Sequence, residues 1–189
     1  MVRSNQYGRS MVEMLGVLAI IGVLSVAGIA GYSKAMEKYN TNKLVDQFFI
    51  ILHNLTTAVA GGQPVTQLAN NTVVDALGIL PTEMGKAAKC RHALGGQCYV
   101  TGGGDGTIIS IRFKDLPPKA CIELSTIDLR GAKGKSIVNA ANSISVTSST
   151  CAVEDGEGNC KSSQFRSIVK ATKECRGKLN AVIFTFNVL

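Results

Sequence analysis

This 189-residue chain lacks tryptophan and has only two histidines and four prolines. Histidine is the residue that most often transfers protons at neutral pH, so its scarcity leaves few ways to build an active site. His53 lies within a long helical pattern, and a Ser/His/Asp arrangement would therefore depend on His92 alone. We interpret His92 as a solvated loop residue and expect the chain not to be an enzyme.

Signals for a bound cofactor or metal are weak. The glycine cluster at 102–106 lacks the Lys-Ser/Thr ending of a phosphate-binding loop, and a hairpin turn explains it better. No cofactor and no metal is predicted. Two metal sites stay open as minor alternatives, zinc at Cys90, His92 and Cys98 and calcium at Glu154, Asp155 and Glu157.

Charge is absent from Met14 to Ser33. The apolar run over residues 11–30 has about the 20 residues that a helix needs to cross a membrane. A lone carboxylate, Glu13, lies at the front of this run. Because an ionisable residue is costly in such a segment, we expect Glu13 to have a partner and a function.

Proline is also absent from residues 9–60. Gly61, Gly62 and Pro64 then provide a natural stop. We therefore predict one helix over residues 9–61, apolar all round in its first half and amphipathic in its second. The amphipathic stripe consists of Leu44, Phe48, Ile51, Leu52, Leu55 and Val59.

The N-terminal pattern resembles that of the type IV prepilins. Gly8 matches the last residue of their short polar leader, Arg9 the first residue after cleavage, and Glu13 the glutamate that opens the apolar helix. The resemblance implies that a prepilin peptidase removes residues 1–8 and that the helices then assemble into a filament core over residues 11–30. It also implies that the new α-amine of Arg9 pairs with Glu13 of a neighbouring subunit.

Two departures favour the type IVb branch of this family. Many members begin with an N-methylated phenylalanine, where this chain has Arg9, so methylation of its amine stays open. Members of the other main branch carry a proline where Ala30 stands here.

Residues 62–189 suffice for one globular domain. We expect an α+β fold in which the long helix packs on a small antiparallel sheet, as the resemblance to pilins also implies. The terminal helix should bury Phe165, Ile168, Val169, Thr172 and Cys175. The predicted elements are a helix at Val73–Leu77, a hairpin of Tyr99–Thr101 and Thr107–Phe113, a helix at Lys119–Asp128, strands at Ser136–Val138 and Ile144–Ser148, a helix capped by Ser163, and a strand with Val182, Phe184, Phe186 and Val188 inward.

All six cysteines lie in this domain, which indicates disulfides in an oxidising compartment. Six cysteines allow many connectivities, and the sequence does not select one. We expect local loops at Cys90–Cys98 and Cys151–Cys160 and a long bridge at Cys121–Cys175. The long bridge is similar to the bond that frames the C-terminal variable region of type IVb pilins.

Arg166, Lys170 and Lys173 lie on one face of the predicted terminal helix in a chain of formal net charge +7. A solvated face is the first interpretation. Contact with the next subunit, a host surface or an acidic polymer is the alternative, and the lack of interleaved aromatic residues disfavours nucleic acid.

The resemblance implies a structural pilus subunit that serves adhesion, motility or surface attachment. Its partners would be copies of itself, the peptidase and an inner-membrane assembly platform. It would cross the inner membrane once, with its head outside the cytoplasm, before joining an extracellular pilus. The alternatives are a type II secretion pseudopilin, a secreted disulfide-rich binding module cut after Ala30, and an ordinary single-pass anchor.

Overall fold

A computed structural model describes residues 11–103, 106, 108–127, 143–148 and 168–187. The chain divides into two units, and the boundary falls between Tyr39 and Asn40, inside the first helix. The helices are α1 (Met11–Ala60), α2 (Asn71–Ala76), α3 (Pro118–Ser125) and α4 (Ile168–Glu174). The strands are β1 (Cys98–Gly102), β2 (Ile108–Leu116), β3 (Ser143–Ser148) and β4 (Asn180–Asn187).

Helix α1 confirms the predicted long helix and ends at the predicted glycines. The amide of Gly62 donates to the carbonyl of Val59 at 2.9 Å, and that of Gln63 donates to Ala58 at 3.2 Å. Gly62 has a φ of 83°, so these bonds form the left-handed cap that favours glycine. The predicted stripe lies inside the second unit and faces its core, with Leu44, Phe48, Ile51, Leu52 and Leu55 buried and Val59 partly buried.

Within the described ranges, the sheet has four strands in the order β1-β2-β4-β3, and every neighbouring pair is antiparallel. The predicted hairpin is confirmed, with Val100 opposite Ile111. Strands β3 and β4 confirm the predictions near residues 144–148 and 182–186. The candidate strand at 136–138 and Val188 lie outside the described residues.

The core lies between the sheet and the second part of α1. The ring of Phe48 on α1 stacks on Phe184 of β4, with centroids 4.3 Å apart, and meets the edge of Phe113 of β2 at 6.3 Å. Ile109 and Ile111 of β2 are buried beside Phe113, because alternate residues of a strand share one face. The fold is therefore α+β.

The apolar face predicted for α4 is wrong at Ile168, Val169 and Thr172, which are exposed, and confirmed at Cys175. Ile168 and Val169 are 68% and 65% exposed, whereas Ala171 and Cys175 are buried. Cys175 is bonded to Cys121 of α3, and this bond fixes which side of α4 faces inward. Ala171 lies one turn before Cys175 and shares that side, since residues four apart are neighbours on a helix. The proposed cap Ser163 and Phe165 lie outside the described residues.

Two disulfides join the expected cysteines. Cys90 and Cys98 close a short loop, with their Cα atoms 5.2 Å apart, and Cys121 and Cys175 join α3 to the end of α4 across 5.9 Å. The expected third bridge, between Cys151 and Cys160, lies outside the described residues.

Candidate functional site

The first unit contains the largest apolar surface among the described residues. Every residue from 11 to 39 is exposed, and large apolar side chains occur on all sides of the helix. Helix α1 is long and apolar enough to cross a membrane. Soluble monomers rarely expose apolar patches of this extent, so the segment is suited to lipid or to other helices. The apolar residues include Met14, Leu15, Leu18, Ile21, Leu24 and Ile29.

Polar groups within this segment are satisfied inside the helix. The hydroxyl of Ser25 donates to the carbonyl of Ile21 at 2.8 Å, and the hydroxyl of Ser33 donates to the carbonyl of Ile29 at 3.0 Å. Such bonds let a hydroxyl enter an apolar environment without losing its hydrogen bond. The glycines leave open space where a side chain would be, so another helix could approach closely there; they are Gly16, Gly22, Gly28 and Gly31.

Glu13 lies in the first turn of α1 and is exposed. No side chain in the described part of the chain pairs with its carboxylate. A carboxylate at this end of a helix interacts favourably with the helix dipole, but that effect is small beside the cost of placing it in hydrocarbon. The other predicted processing residues, Gly8 and Arg9, lie outside the described residues.

The second unit contains a loop that is closed by the Cys90–Cys98 bond and centred on His92. The prediction that His92 is solvated is wrong, because the ring is 3% exposed. Its Nδ1 accepts from the amide of Leu94 at 3.2 Å, so Nε2 bears the hydrogen and donates to the carbonyl of Lys114 at 2.7 Å. The ring is held by the loop it belongs to and by strand β2.

Burial is the main influence on this imidazole. It lowers the pKa of His92, and this effect outweighs the opposite effects of the bond to Lys114 and of the Asp115 carboxylate. The zinc alternative is also wrong, because Cys90 and Cys98 are bonded to each other and offer no thiolates. The calcium alternative concerns residues 154–157, which lie outside the described residues.

Gln47, which was not among the residues predicted from the sequence, connects this loop to α1. Its side-chain oxygen accepts from the amide of Ala93 at 2.9 Å, and its nitrogen donates to Glu83 at 2.6 Å. Lys43 pairs with the other oxygen of Glu83 at 2.8 Å and is the main reason why the pKa of Glu83 is lowered. The sequence did contain a signal for Gln47. It is a polar residue three positions after Leu44, and this spacing places it on the buried face of the helix.

The predicted basic surface on α4 is described only in part. Lys173 is exposed, whereas Arg166 and the side chain of Lys170 lie outside the described residues. A second set of cations surrounds Tyr99 on the hairpin. Arg112 is the cross-strand partner of Tyr99, and the ammonium of Lys114 lies 6.0 Å from the centre of its ring. The signal for this set was the alternation of basic and apolar residues along β2.

No protein-family model matches the chain, and no characterised protein matches it significantly. Two features of the geometry bear on function. One is the exposed apolar segment of α1, and the other is the loop closed by the Cys90–Cys98 bond and anchored by His92.

Proposed function

We propose that this chain is a structural subunit of a filament of the type IV pilus kind, and that it assembles through the first part of α1. The observation that carries the proposal is the contrast within one helix. Residues 11–39 expose apolar side chains all round, whereas the stripe from Leu44 to Leu55 is covered by the sheet of the same chain. An exposed apolar segment of this extent needs either lipid or copies of itself.

Processing and assembly are linked in this proposal. Cleavage after Gly8 frees the α-amine of Arg9, which then pairs with Glu13 of a neighbouring subunit. A buried pair of this kind adds little stability, because desolvation offsets the attraction between the charges. It instead selects the register of the subunits, since a subunit that docks out of step leaves both charges without a partner.

The disulfides support a head domain outside the cytoplasm, where an oxidising environment maintains such bonds. Before assembly, α1 would cross the inner membrane once. Subunits would then leave the membrane as their apolar segments stack on one another. Hydrogen bonds inside the helix, such as that of Ser25, suit both environments.

The intact mass of the mature protein tests the proposal. The chain should begin at Arg9 when it is purified from a host that has a prepilin peptidase, and at Met1 from a host that lacks it. A chain that begins at Gly31 would instead indicate a secreted module, and an uncut chain in both hosts would indicate an ordinary anchor.

Electron microscopy of sheared surface material separates a pilus from a secretion pseudopilus. Filaments that contain this chain should be present in that material at native expression. Their absence, together with cleavage after Gly8, would favour the pseudopilin alternative.

A further inference from the structure

The outer face of the β1–β2 hairpin, beside the Cys90–Cys98 bond, carries four cations around one tyrosine. Lys89 and Arg91 flank Cys90 at the start of the disulfide loop, and Arg112 and Lys114 belong to β2. Tyr99 of β1 lines the same pocket as Lys89 and Arg91 and is the cross-strand partner of Arg112. We call these five residues the hairpin cation cluster.

The tyrosine ring is fixed in place by its neighbours. Its hydroxyl donates to the side-chain oxygen of Gln97 at 2.6 Å, and the Lys114 ammonium lies 6.0 Å from the ring centre. Arg112 is directly opposite on β2. The ring is still 38% exposed, so it presents a rigid aromatic surface to solvent at the centre of positive charge.

The cations of the cluster are not neutralised within the described part of the chain. No carboxylate there forms an ion pair with Lys89, Arg112 or Lys114, and Arg91 donates to a neutral group, the carbonyl of Gly95, at 2.9 Å. Arg112 is half-buried, and desolvation lowers the pKa of its guanidinium. A partly desolvated guanidinium to which the described residues offer no acceptor favours an anion, and its planar donors suit a carboxylate or a sulfate.

A small open pocket of about 170 Å³ adjoins the cluster. Lys89, Arg91, Tyr99 and the Cys90–Cys98 bond form part of its wall. Pockets for drug-sized ligands measure roughly 300–1,000 Å³, so this one is suited to a single anionic group or one sugar ring. The short loop that forms its floor is held by the disulfide and by His92, so the site is preformed.

We propose that the hairpin cation cluster binds an acidic carbohydrate, with a uronate or sulfate group on the arginines and lysines and a sugar ring against Tyr99. The arrangement fits nucleic acid less well. Single-strand binders stack successive bases on several aromatic side chains, and the cluster offers one. Proteins that bind a duplex often contact about six to ten phosphates, whereas the cluster has four cations in one small area.

The inference requires only that the head faces the outside of the cell, as its disulfides indicate. It does not depend on filament assembly. It can therefore be tested on unassembled mature protein in detergent micelles, and its failure would leave the proposed function untouched.

The experiment titrates the full mature chain with a fluorescent heparin hexasaccharide and a fluorescent hexagalacturonate. A neutral maltohexaose and a single-stranded oligonucleotide serve as competitors. We expect binding of at least one acidic oligosaccharide, no competition by maltohexaose and weaker competition by the oligonucleotide. No binding of either acidic probe, or tighter binding of the oligonucleotide, would overturn the proposal.

Substitutions locate the site. Arg112→Gln and Tyr99→Ala should each weaken binding about tenfold, as expected for the loss of a charge-assisted hydrogen bond or of an aromatic contact. Lys89→Gln provides a variant at an exposed position that leaves the core intact, and it should also weaken binding. The matched control is Lys173→Gln on α4, which removes the same charge elsewhere and should leave affinity unchanged. Equal losses of affinity in Lys173→Gln and Arg112→Gln would show only non-specific attraction to positive charge. That result would overturn the assignment of the site to the hairpin cation cluster.

Discussion

The Nε2 atom of His92 lies 2.7 Å from the carbonyl oxygen of Lys114, and this bond ties the disulfide loop to strand β2. It forms where β2 is irregular: the register with β4 shifts between Phe113 and Leu116, and Asp115 has a φ of 61°. Gly96 passes so close to this bond that a side chain there would collide with the Lys114 carbonyl and with Nε2. The loop is therefore fitted to the bulge.

His92 should make stability depend on pH. Burial lowers its pKa in the folded protein below the value of about 6.5 expected in the unfolded chain. The unfolded chain therefore binds the proton first as the pH falls. Stability should be full above about pH 6.5 and should decrease below it, until the lowered pKa of the folded state is reached.

Urea unfolding of the full mature chain at pH 7.5 and pH 5 measures this effect. His92→Gln should lower stability at pH 7.5 and reduce the difference between the two pH values. The other histidine of the chain, His53, is exposed on α1 and provides the control, because His53→Gln should leave both quantities unchanged. An unaltered pH dependence in His92→Gln would contradict the prediction.

Phe48 should be the main packing contact between α1 and the sheet. It is fully buried between Phe113 and Phe184, so Phe48→Ala should lower the free energy of unfolding by about 3–5 kcal/mol. Its neighbour Phe49 is 39% exposed, and Phe49→Ala should cost much less. Thermal unfolding followed by circular dichroism compares the two variants. Equal losses of stability would show that the stacking of Phe48 on Phe184 does not stabilise the packing of α1 on the sheet.

The elements whose apolar residues recur at a regular spacing were predictable from the sequence. The stripe from Leu44 to Val59 and the alternation of Val182, Phe184 and Phe186 each place one face inward, and burial follows those faces. The apolar segment was equally clear, because twenty residues without charge leave few other structures.

The predictions for α4 and His92 were wrong because both depend on contacts between residues that are distant in the sequence. The orientation of α4 is set by the bond from Cys175 to Cys121, which lies 54 residues away, and not by the apolarity of Ile168 and Val169. The burial of His92 likewise depends on a carbonyl 22 residues along the chain. Neither contact produces a local pattern, so a reading of local periodicity cannot find them.

The two described disulfides should differ in their effect on stability. Cys121 and Cys175 are 54 residues apart and Cys90 and Cys98 are 8 apart. In the loop-entropy model, the long bridge adds about 4 kcal/mol and the short one about 2.5 kcal/mol. Urea unfolding of the two double alanine variants should show the larger loss for Cys121→Ala with Cys175→Ala. The reverse order would show that the contacts of the His92 loop outweigh chain entropy.

The sharpest test of assembly concerns Glu13. Glu13→Gln keeps the size of the side chain and removes the charge that the α-amine of Arg9 is proposed to meet. An unpaired amine in an apolar interface is costly, so filament yield should fall at least tenfold while cleavage after Gly8 and membrane insertion stay normal. Quantitative blotting of sheared filaments and of membrane fractions measures the filament yield and the amount of cleaved, inserted chain.

Glu37→Gln on the same helix is the matched control. Glu37 is exposed and follows the uncharged run that ends at Ser33, so it lies outside the segment proposed to form the filament core. This variant should retain most of the wild-type filament yield. Abundant normal filaments from Glu13→Gln would contradict the pairing, whereas equal losses from both variants would mean that the charge of the helix in general, and not a specific partner of Glu13, controls assembly.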